Sequence, residues 1–350
     1  MLFGGLLART GLNRKSALAT AALVLSAEAP DLDVIAGLGG RAVGFAQHRG
    51  FTHTFLGLPV MAAVVLVVLW IYWRGWGQRK QLMGEPPPRW ARLYLLAILG
   101  GLSHLLLDFT NNYGVRPFAP FSGRWYAWDI VAIAEPVLWV LLLGGLLLPP
   151  LFRLLRGAIG RRRLAPVGRG GALIALLLIF CFWGFRDYQH RRALAAVEAL
   201  RYQGQPPRRV SAGPYARNPF RWYAVAETPD FYEMMLVDTR RPQAALSGPV
   251  LRRDKSPDTP VTLAARNSYL GRAYVSWARY PVLESEPLSG NPGGYLVRFR
   301  DLRYAYPDLP QRRGILGAWV WLDGQLRVAG QGMGRAASPR ECRPIRHSSG

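Results

Sequence analysis

The feature that most constrains the fold is an uncharged apolar run over residues 55–73, FLGLPVMAAVVLVVLWIYW. At about 1.5 Å per residue, a helix of this length nearly crosses a hydrocarbon core of about 30 Å, so the run predicts a transmembrane helix. Further apolar stretches at 93–107, 130–152 and 171–185, and an Ala-rich one at 16–29, raise the prediction to about five transmembrane helices.

Beyond residue 186 the composition becomes that of a water-soluble chain. Short β-type runs such as RWYAVAE and GAWVWLDG alternate there with Gly, Pro, Asn and Asp clusters. We therefore expect an α-helical polytopic membrane domain followed by a small, mostly β soluble domain. The predicted boundaries are 1–186 for the membrane domain, 187–214 for an amphipathic helix and linker, 215–335 for the β domain and 336–350 for a disordered tail.

The charge distribution predicts both a partner and an orientation. The chain has 44 Lys and Arg against 21 Asp and Glu, a formal net charge of +23. The basic residues gather at the ends of apolar runs, which favours the lipid bilayer and its anionic headgroups over nucleic acid. The loops 74–92 and 153–169 are strongly basic, so the positive-inside rule places both in the cytoplasm. Residues 30–54, 108–129 and everything after about 186 then lie on the outer side.

Acidic and histidine side chains are concentrated on that predicted outer side. Seven Asp and Glu residues precede residue 187, and six of them lie toward the outer side, where three short blocks hold four of these acids and three of the five histidines. Ionisable groups at membrane depth are costly and tend to mark functional sites. Only two cysteines occur, Cys181 and Cys342, so a thiolate metal site is not expected.

Two of these blocks contain closely spaced pairs. In EAPDLD, Asp31 and Asp33 are two apart, and in an extended segment both would point to the same side. In GLSHLLLDFTNN, His104 and Asp108 are four apart and share a helical face. Each pair could bind a metal ion, solvate a helix end or stabilise a polar helix face.

The third block is QHRGFTH, in which His48 and His53 are five apart. On an ideal helix they would be separated by about 140°, so they cannot share a helical face. Gly50 indicates a turn that could bring both histidines to a common centre, with Thr52 as N-cap of the following span. Either histidine could instead hydrogen-bond to lipid or water at the interface.

Together the blocks predict a metal site with Asp and His ligands. This donor set favours a divalent ion, zinc first, with manganese or iron as alternatives. Six candidates exceed the four ligands of one tetrahedral site, so two metals, or ligand-orienting roles, stay open. The candidate ligands are Asp31, Asp33, His48, His53, His104 and Asp108.

Three further residues are candidates for supporting or catalytic roles. Asp129 is a candidate to hydrogen-bond a metal ligand or to be a further ligand itself. Glu135 could be a general base, or could pair with Arg49 or Arg124. Arg49 could hold a phosphate in a bidentate manner, which slightly favours a phosphoester or lipid-linked substrate.

The succession PDLD, HRGFTH, an apolar span, SHLLLDFTNNYG and a later WD resembles the YdjM-like family of inner-membrane proteins, described as membrane-bound metal-dependent hydrolases. The resemblance covers about residues 5–150. It implies a helical domain in a bacterial inner membrane with a hydrolytic metal site. The matching positions are Asp31, Asp33, His48, Arg49, His53, His104 and Asp108.

The chain departs from the family pattern at its start, where members usually carry an Asp and a Thr-His ahead of a small-residue helix. This chain opens with MLFGGLLARTG, without that histidine. Two explanations stay open: the start is an internal methionine and one ligand is lost, or the site uses fewer ligands.

The leading functional expectation is a metal-dependent hydrolase at the outer face of the inner membrane. One alternative is a non-catalytic membrane protein, such as a transporter or an envelope-stress component, whose acids and histidines carry ions or protons. Another assigns the function to the β domain, as a binder of a partner or an envelope polymer.

Overall fold

The computed structural model describes residues 1–77, 87–158, 168–215, 218–241, 246, 248–288, 293–305 and 316–334. The tail predicted to be disordered, 336–350, lies outside the described residues. The chain forms two compact units. The membrane unit contains Met1–Asp33 and Arg49–Tyr188, and the C-terminal unit contains Val34–His48 and the residues from Gln189 onward.

Four candidate membrane spans occur in the described residues: Gly57–Gly77, Trp90–Thr110, Pro136–Leu155 and Arg169–Glu198. Each has at least 20 residues, enough for about 30 Å of helix. This confirms a polytopic helical membrane domain. The corresponding helices are α4 (Gly57–Tyr72), α5 (Trp90–Thr110), α6 (Pro136–Ala158) and α7 (Arg169–Glu198).

The Ala-rich stretch 16–29 contains only a short helix, α2 (Ala19–Ser26), of eight residues. At about 1.5 Å per residue it is about 12 Å long, too short to cross a bilayer alone. It forms an antiparallel hairpin with α1 (Leu2–Arg9). The open end of the hairpin is closed by the Met1 amine, 2.6 Å from a carboxylate oxygen of Glu28. The fifth predicted span is therefore half of a hairpin packed inside the bundle.

The turn of this hairpin lies where α5 begins, since the Arg89 amide donates to Ser16 Oγ at 2.7 Å. Glycines let the hairpin approach α5 closely. A Cβ at Gly100 of α5 would lie 2.6 Å from the Leu23 carbonyl oxygen of α2, and Gly4 of α1 allows an equally close approach to that atom within the hairpin. Small residues at helix contacts are the usual means of close packing in membranes.

The C-terminal unit contains two four-stranded antiparallel sheets, each with its strands in sequence order. The first sheet consists of β1 (Arg209–Pro214), β2 (Arg221–Glu227), β3 (Phe231–Asp238) and β4 (Leu251–Asp254). The second consists of β5 (Pro281–Pro287), β6 (Tyr295–Asp301), β7 (Ala318–Leu322) and β8 (Val328–Met333). Two helices, α8 (Pro260–Asn267) and α9 (Tyr269–Trp277), lie between the sheets in the chain. The predicted β composition of this region is thus confirmed.

Both faces of the first sheet are covered, which explains the continuous burial of β2. Trp222 on one face packs with Ala193 and Val197 from the end of α7. Tyr223 on the opposite face packs with Tyr280 and other residues near the second sheet. Alternating side chains of one strand therefore enter two separate apolar clusters.

The segment Val34–His48 also belongs to this unit. We call it the excursion, because the chain leaves the membrane unit after Asp33 and returns at Arg49. It includes a short helix, α3 (Arg41–Gln47), that packs against α9 and β8.

We predict that Gly100→Ala lowers the free energy of unfolding of the whole chain by about 1–3 kcal/mol, since its methyl group would overlap the Leu23 carbonyl. The matched control is Gly184→Ala in α7, where no heavy atom lies within 4 Å of the added Cβ. Denaturant titration in detergent micelles measures both. Equal stability of the two variants would contradict the close approach of α2 and α5.

Candidate metal centre

Three elements of the membrane unit bring acids and histidines together near the end of α5. Asp31 lies in a 3-10 segment, Ala29–Gly39, that follows α2. His53 ends a 3-10 turn, Phe51–His53, just before α4. His104 and Asp108 lie one turn apart on α5. The cluster therefore unites residues from all three blocks of the sequence.

Four donor atoms form a compact group. The Nε2 atoms of His53 and His104 lie 3.2 Å apart, and each is 3.4 Å from Oδ2 of Asp108. Oδ1 of Asp31 lies 3.5 Å from Nε2 of His53 and 3.4 Å from Nε2 of His104. His53 is fully buried, whereas the Asp31 side chain is 50% exposed.

The spacing of three of these donors, from Asp31, His53 and His104, matches three corners of a tetrahedral metal site. Zinc bound to N and O ligands at about 2.0–2.1 Å requires its donors to lie about 3.3–3.4 Å apart, as the edges of the tetrahedron. The donor atoms of Asp31, His53 and His104 lie 3.2 to 3.5 Å from one another, and Oδ2 of Asp108 lies 3.4 Å from both histidine nitrogens. In addition, Oδ2 of Asp108 is buried and lacks a well-formed hydrogen bond within the described residues. It faces the Nε2 atoms of His53 and His104, each at 3.4 Å.

Hydrogen bonds on the far side of each imidazole leave Nε2 available for a metal. Nδ1 of His104 lies 2.9 Å from the Ala27 carbonyl oxygen, which can only accept, so Nδ1 carries the proton. Nδ1 of His53 lies 3.3 Å from Oδ2 of Asp33 and 3.0 Å from Thr52 Oγ1. A carboxylate behind a ligating histidine is a common arrangement in metal sites.

Asp33 therefore differs from Asp31 in the atom that it faces. The segment is a 3-10 helix, not the extended strand expected from the sequence, and residues two apart are then about 240° apart around the axis. Asp31 points to the donor group, whereas the buried Asp33 side chain lies behind His53. The expectation that both carboxylates share one side is wrong for this reason.

Arg49 connects the two halves of the cluster. Its backbone amide donates to Oδ2 of Asp33 at 2.7 Å. Its buried guanidinium donates to Oδ1 of Asp108 at 2.7 Å and to the Gly114 carbonyl at 2.7 Å, and stacks over the Tyr113 ring at 4.6 Å. Arg49 has a positive φ of 52°, as the turn before His53 requires. These contacts hold the carboxylates of Asp33 and Asp108 in position.

Several supporting residues were not singled out from the sequence. Asn111 Oδ1 accepts from the Tyr113 amide at 2.9 Å and from Arg49 at 3.4 Å. The motif FTNNYG, noted only as part of a resemblance, thus shapes the turn that supports Arg49. Thr52 lies against the imidazole of His53, and Thr54, not Thr52, accepts from the Gly57 amide at the start of α4.

The remaining predicted residues lie in other surroundings. His48 belongs to the C-terminal unit, and its ligand role stays a prediction. Asp129 is buried, with a positive φ of 59°. Glu135 is buried and accepts from the Ala132 amide at 3.4 Å. Burial raises the pKa of Glu135, while the charge of Arg186 opposes that rise. The roles predicted for Asp129 and Glu135 are still predictions.

The charge state of Asp31 suits a ligand. Burial alone would raise the pKa of this carboxyl group, but hydrogen bonds to His104 and His53 outweigh that effect. The pKa of Asp31 is consequently held well below its ordinary value, so the group is a carboxylate at neutral pH.

Comparison with known proteins agrees with the resemblance seen in the motifs. The model of the YdjM inner membrane protein family matches residues 1–193, more than half of the chain. The chain belongs to the YdjM inner membrane protein family. With its four candidate spans, it is a multi-pass membrane protein.

A relative of this YdjM family member is the uncharacterized protein YfhP of Bacillus subtilis (strain 168). It is 25% identical over 119 residues, which is 34% of this chain and 33% of YfhP. The match therefore spans about a third of the length of that relative. No solved structure is significantly similar to the chain.

The pair of Arg49 and Asp108 yields a stability prediction. Arg49→Met leaves a buried carboxylate without its partner, so we expect the metal-free protein to lose about 3–5 kcal/mol of unfolding free energy. The control is Arg124→Met, which removes an exposed guanidinium stacked over Tyr126. Denaturant titration in the presence of a chelator measures both, and equal small losses would show that the ion pair contributes little.

Proposed function

We propose that this protein is a membrane-bound metal-dependent hydrolase, with its Asp/His cluster as the binding site of a divalent cation. The observation that carries the proposal is the close grouping of donor atoms from Asp31, His53 and His104, with Oδ2 of Asp108 3.4 Å from both imidazole nitrogens. Zinc is favoured, because the donors are two imidazoles and two carboxylates without a thiolate.

In this proposal Asp31, His53, His104 and Asp108 would hold the metal. A cation bound there would lower the pKa of a water molecule toward neutrality and polarise a phosphoryl or carbonyl oxygen. Asp31 is half exposed, while the side chains of the other three donors are largely buried. Water and substrate would therefore approach from the Asp31 side.

The surrounding residues would orient these ligands. Asp33 and Thr52 fix the ring of His53, the Ala27 carbonyl fixes that of His104, and Arg49 holds Asp108. Glu135, whose pKa is raised by burial, remains our candidate for a general base.

We favour a phosphoester or lipid-linked substrate. Arg116, whose Nε donates to the Arg49 carbonyl at 3.2 Å, adds a cation near Arg49. The guanidinium of Arg49 is itself bonded to Asp108 and Gly114, so Arg116 would be the cation for a phosphate. The exposed rings of Phe51 and Phe55 flank His53 in the sequence, and Phe118 packs against Phe55 at 5.4 Å. Exposed aromatic residues at the end of a membrane helix are typical of the lipid interface.

The site and the C-terminal unit would face the outer side of the membrane. Basic residues support this orientation: Arg89 and Arg169 lie at the beginnings of α5 and α7, whereas His104 and Asp108 lie near the other end of α5.

Cysteine labelling tests the orientation. In a Cys181→Ser, Cys342→Ser background, we expect Asp254→Cys to react with a membrane-impermeant maleimide in intact spheroplasts, because its side chain is exposed. Gly75→Cys, at the far end of α4, should react only after permeabilisation. The reverse pattern would place the C-terminal unit in the cytoplasm.

Elemental analysis tests the metal site. We expect about one zinc ion per purified full-length chain, and its loss in His53→Ala and Asp108→Asn, because each removes one of four ligands. The control is Asp230→Asn, an exposed carboxylate on a turn of the first sheet. His48→Ala reveals whether the histidine of the excursion is a ligand. Absence of stoichiometric metal from the native chain would overturn the proposal.

Hydrolysis is then measured on the metal-loaded protein in lipid nanodiscs, with phosphoesters that carry or lack an acyl chain. Turnover that disappears in Asp108→Asn and persists in Asp230→Asn is the expected result. A stoichiometric metal without turnover of either substrate would favour the non-catalytic alternative.

A further inference from the structure

The excursion is inserted between two parts of the metal site. The chain leaves the membrane unit directly after Asp33 and returns at Arg49. These flanking residues are bonded to each other, since the Arg49 amide donates to Oδ2 of Asp33 at 2.7 Å. Through their side chains they also hold His53 and Asp108. Any strain or displacement of the excursion therefore acts first on residues that orient two proposed ligands.

Within the C-terminal unit, one aromatic side chain anchors the excursion. The ring of Phe45 in α3 stacks on Tyr274 with a centroid distance of 5.7 Å. It meets the edge of Trp277 at 5.4 Å. Both partners lie on α9 and are almost fully buried. Aromatic pairs at these distances are attractive beyond the apolar area that they bury.

The partners of Phe45 are themselves held rigidly. Trp277 stacks on Tyr304 at 5.7 Å and lies under the guanidinium of Arg303 at 4.8 Å. Arg303 is buried and paired with Asp301 at 2.7 Å. Tyr274 packs against Phe299 of β6 at 5.6 Å. We call Tyr274, Trp277 and Tyr304 the aromatic cage.

The helix of the excursion is short and lies near the surface, although it also packs against β8. α3 has only seven residues and buries none of them, and an isolated helix of this length is unstable in water. Val34 and Leu38 are largely exposed, and Gly37, Gly39 and Gly40 add backbone freedom. Of the side chains of α3, Phe45 makes the aromatic contacts that join this helix to the aromatic cage.

We infer that the C-terminal unit is a positioning domain for the metal site, acting through Phe45. With Phe45 in the aromatic cage, the ends of the excursion hold Asp33 and Arg49 in their bonded arrangement, and these residues keep His53 and Asp108 oriented. The inference rests on the metal site proposed above. It assigns Phe45 a positioning role and gives the β-rich unit a function in metal binding.

The test compares zinc affinity of full-length variants by competition with a chromophoric chelator. Phe45→Ala should bind zinc about tenfold or more weakly, the usual effect of losing a residue that orients a ligand. Phe45→Tyr, which keeps the ring, should restore the native affinity. The matched control is Tyr269→Ala, which removes an exposed aromatic residue from the same helix, α9.

A second measurement does not depend on metal. Hydrogen exchange of the Arg49 amide, which donates to Asp33, should accelerate in Phe45→Ala but not in Tyr269→Ala. Native zinc affinity and native exchange in Phe45→Ala would overturn the inference while leaving the metal site intact. A native chain that binds no metal would instead refute the proposed function, and exchange at Arg49 would still report whether Phe45 holds the ends of the excursion.

Discussion

The structure of the candidate site depends on the cost of burying charge at the end of a membrane helix bundle. Asp108 lies at the end of α5 with one oxygen paired to Arg49 and the other facing two imidazole nitrogens. A carboxylate in such surroundings is tolerated only when each oxygen finds a partner. Arg49 pairs with one oxygen, the imidazoles of His53 and His104 face the other, and the proposed metal ion would bind among them. Much of the surrounding turn, including Asn111 and Gly114, serves to hold Arg49 in place.

The sequence predicted those features that depend on local periodicity. Long uncharged runs identify the membrane helices, because backbone groups in lipid must be paired within the helix. His104 and Asp108 were paired correctly in space because a spacing of four residues places both on one helical face. Alternation of apolar residues and turn residues identified the β-rich region for a similar reason.

Features that depend on tertiary context could not be predicted in the same way. Asp31 and Asp33 differ in direction because their segment is a 3-10 helix, and no pattern in EAPDLD distinguishes it from an extended chain. The stretch 16–29 has the composition of a span, yet its helix is short and packs within the bundle. Arg49 was noted for its charge, but its bonds to Asp33, Asp108 and Gly114 require residues up to 65 positions away.

The hydrogen bond from His104 to the Ala27 carbonyl has a consequence for how the protein assembles. Ala27 ends α2, so the proton on His104 is fixed by a helix hairpin that must first insert beside α5. Before that insertion the Ala27 carbonyl is not in place to select one tautomer of the His104 imidazole. Asp31, which follows α2, is then also not yet near His104. If the proposed metal site is correct, its ligands are oriented only once the N-terminal hairpin has packed beside α5, so metal binding would follow membrane insertion of that hairpin.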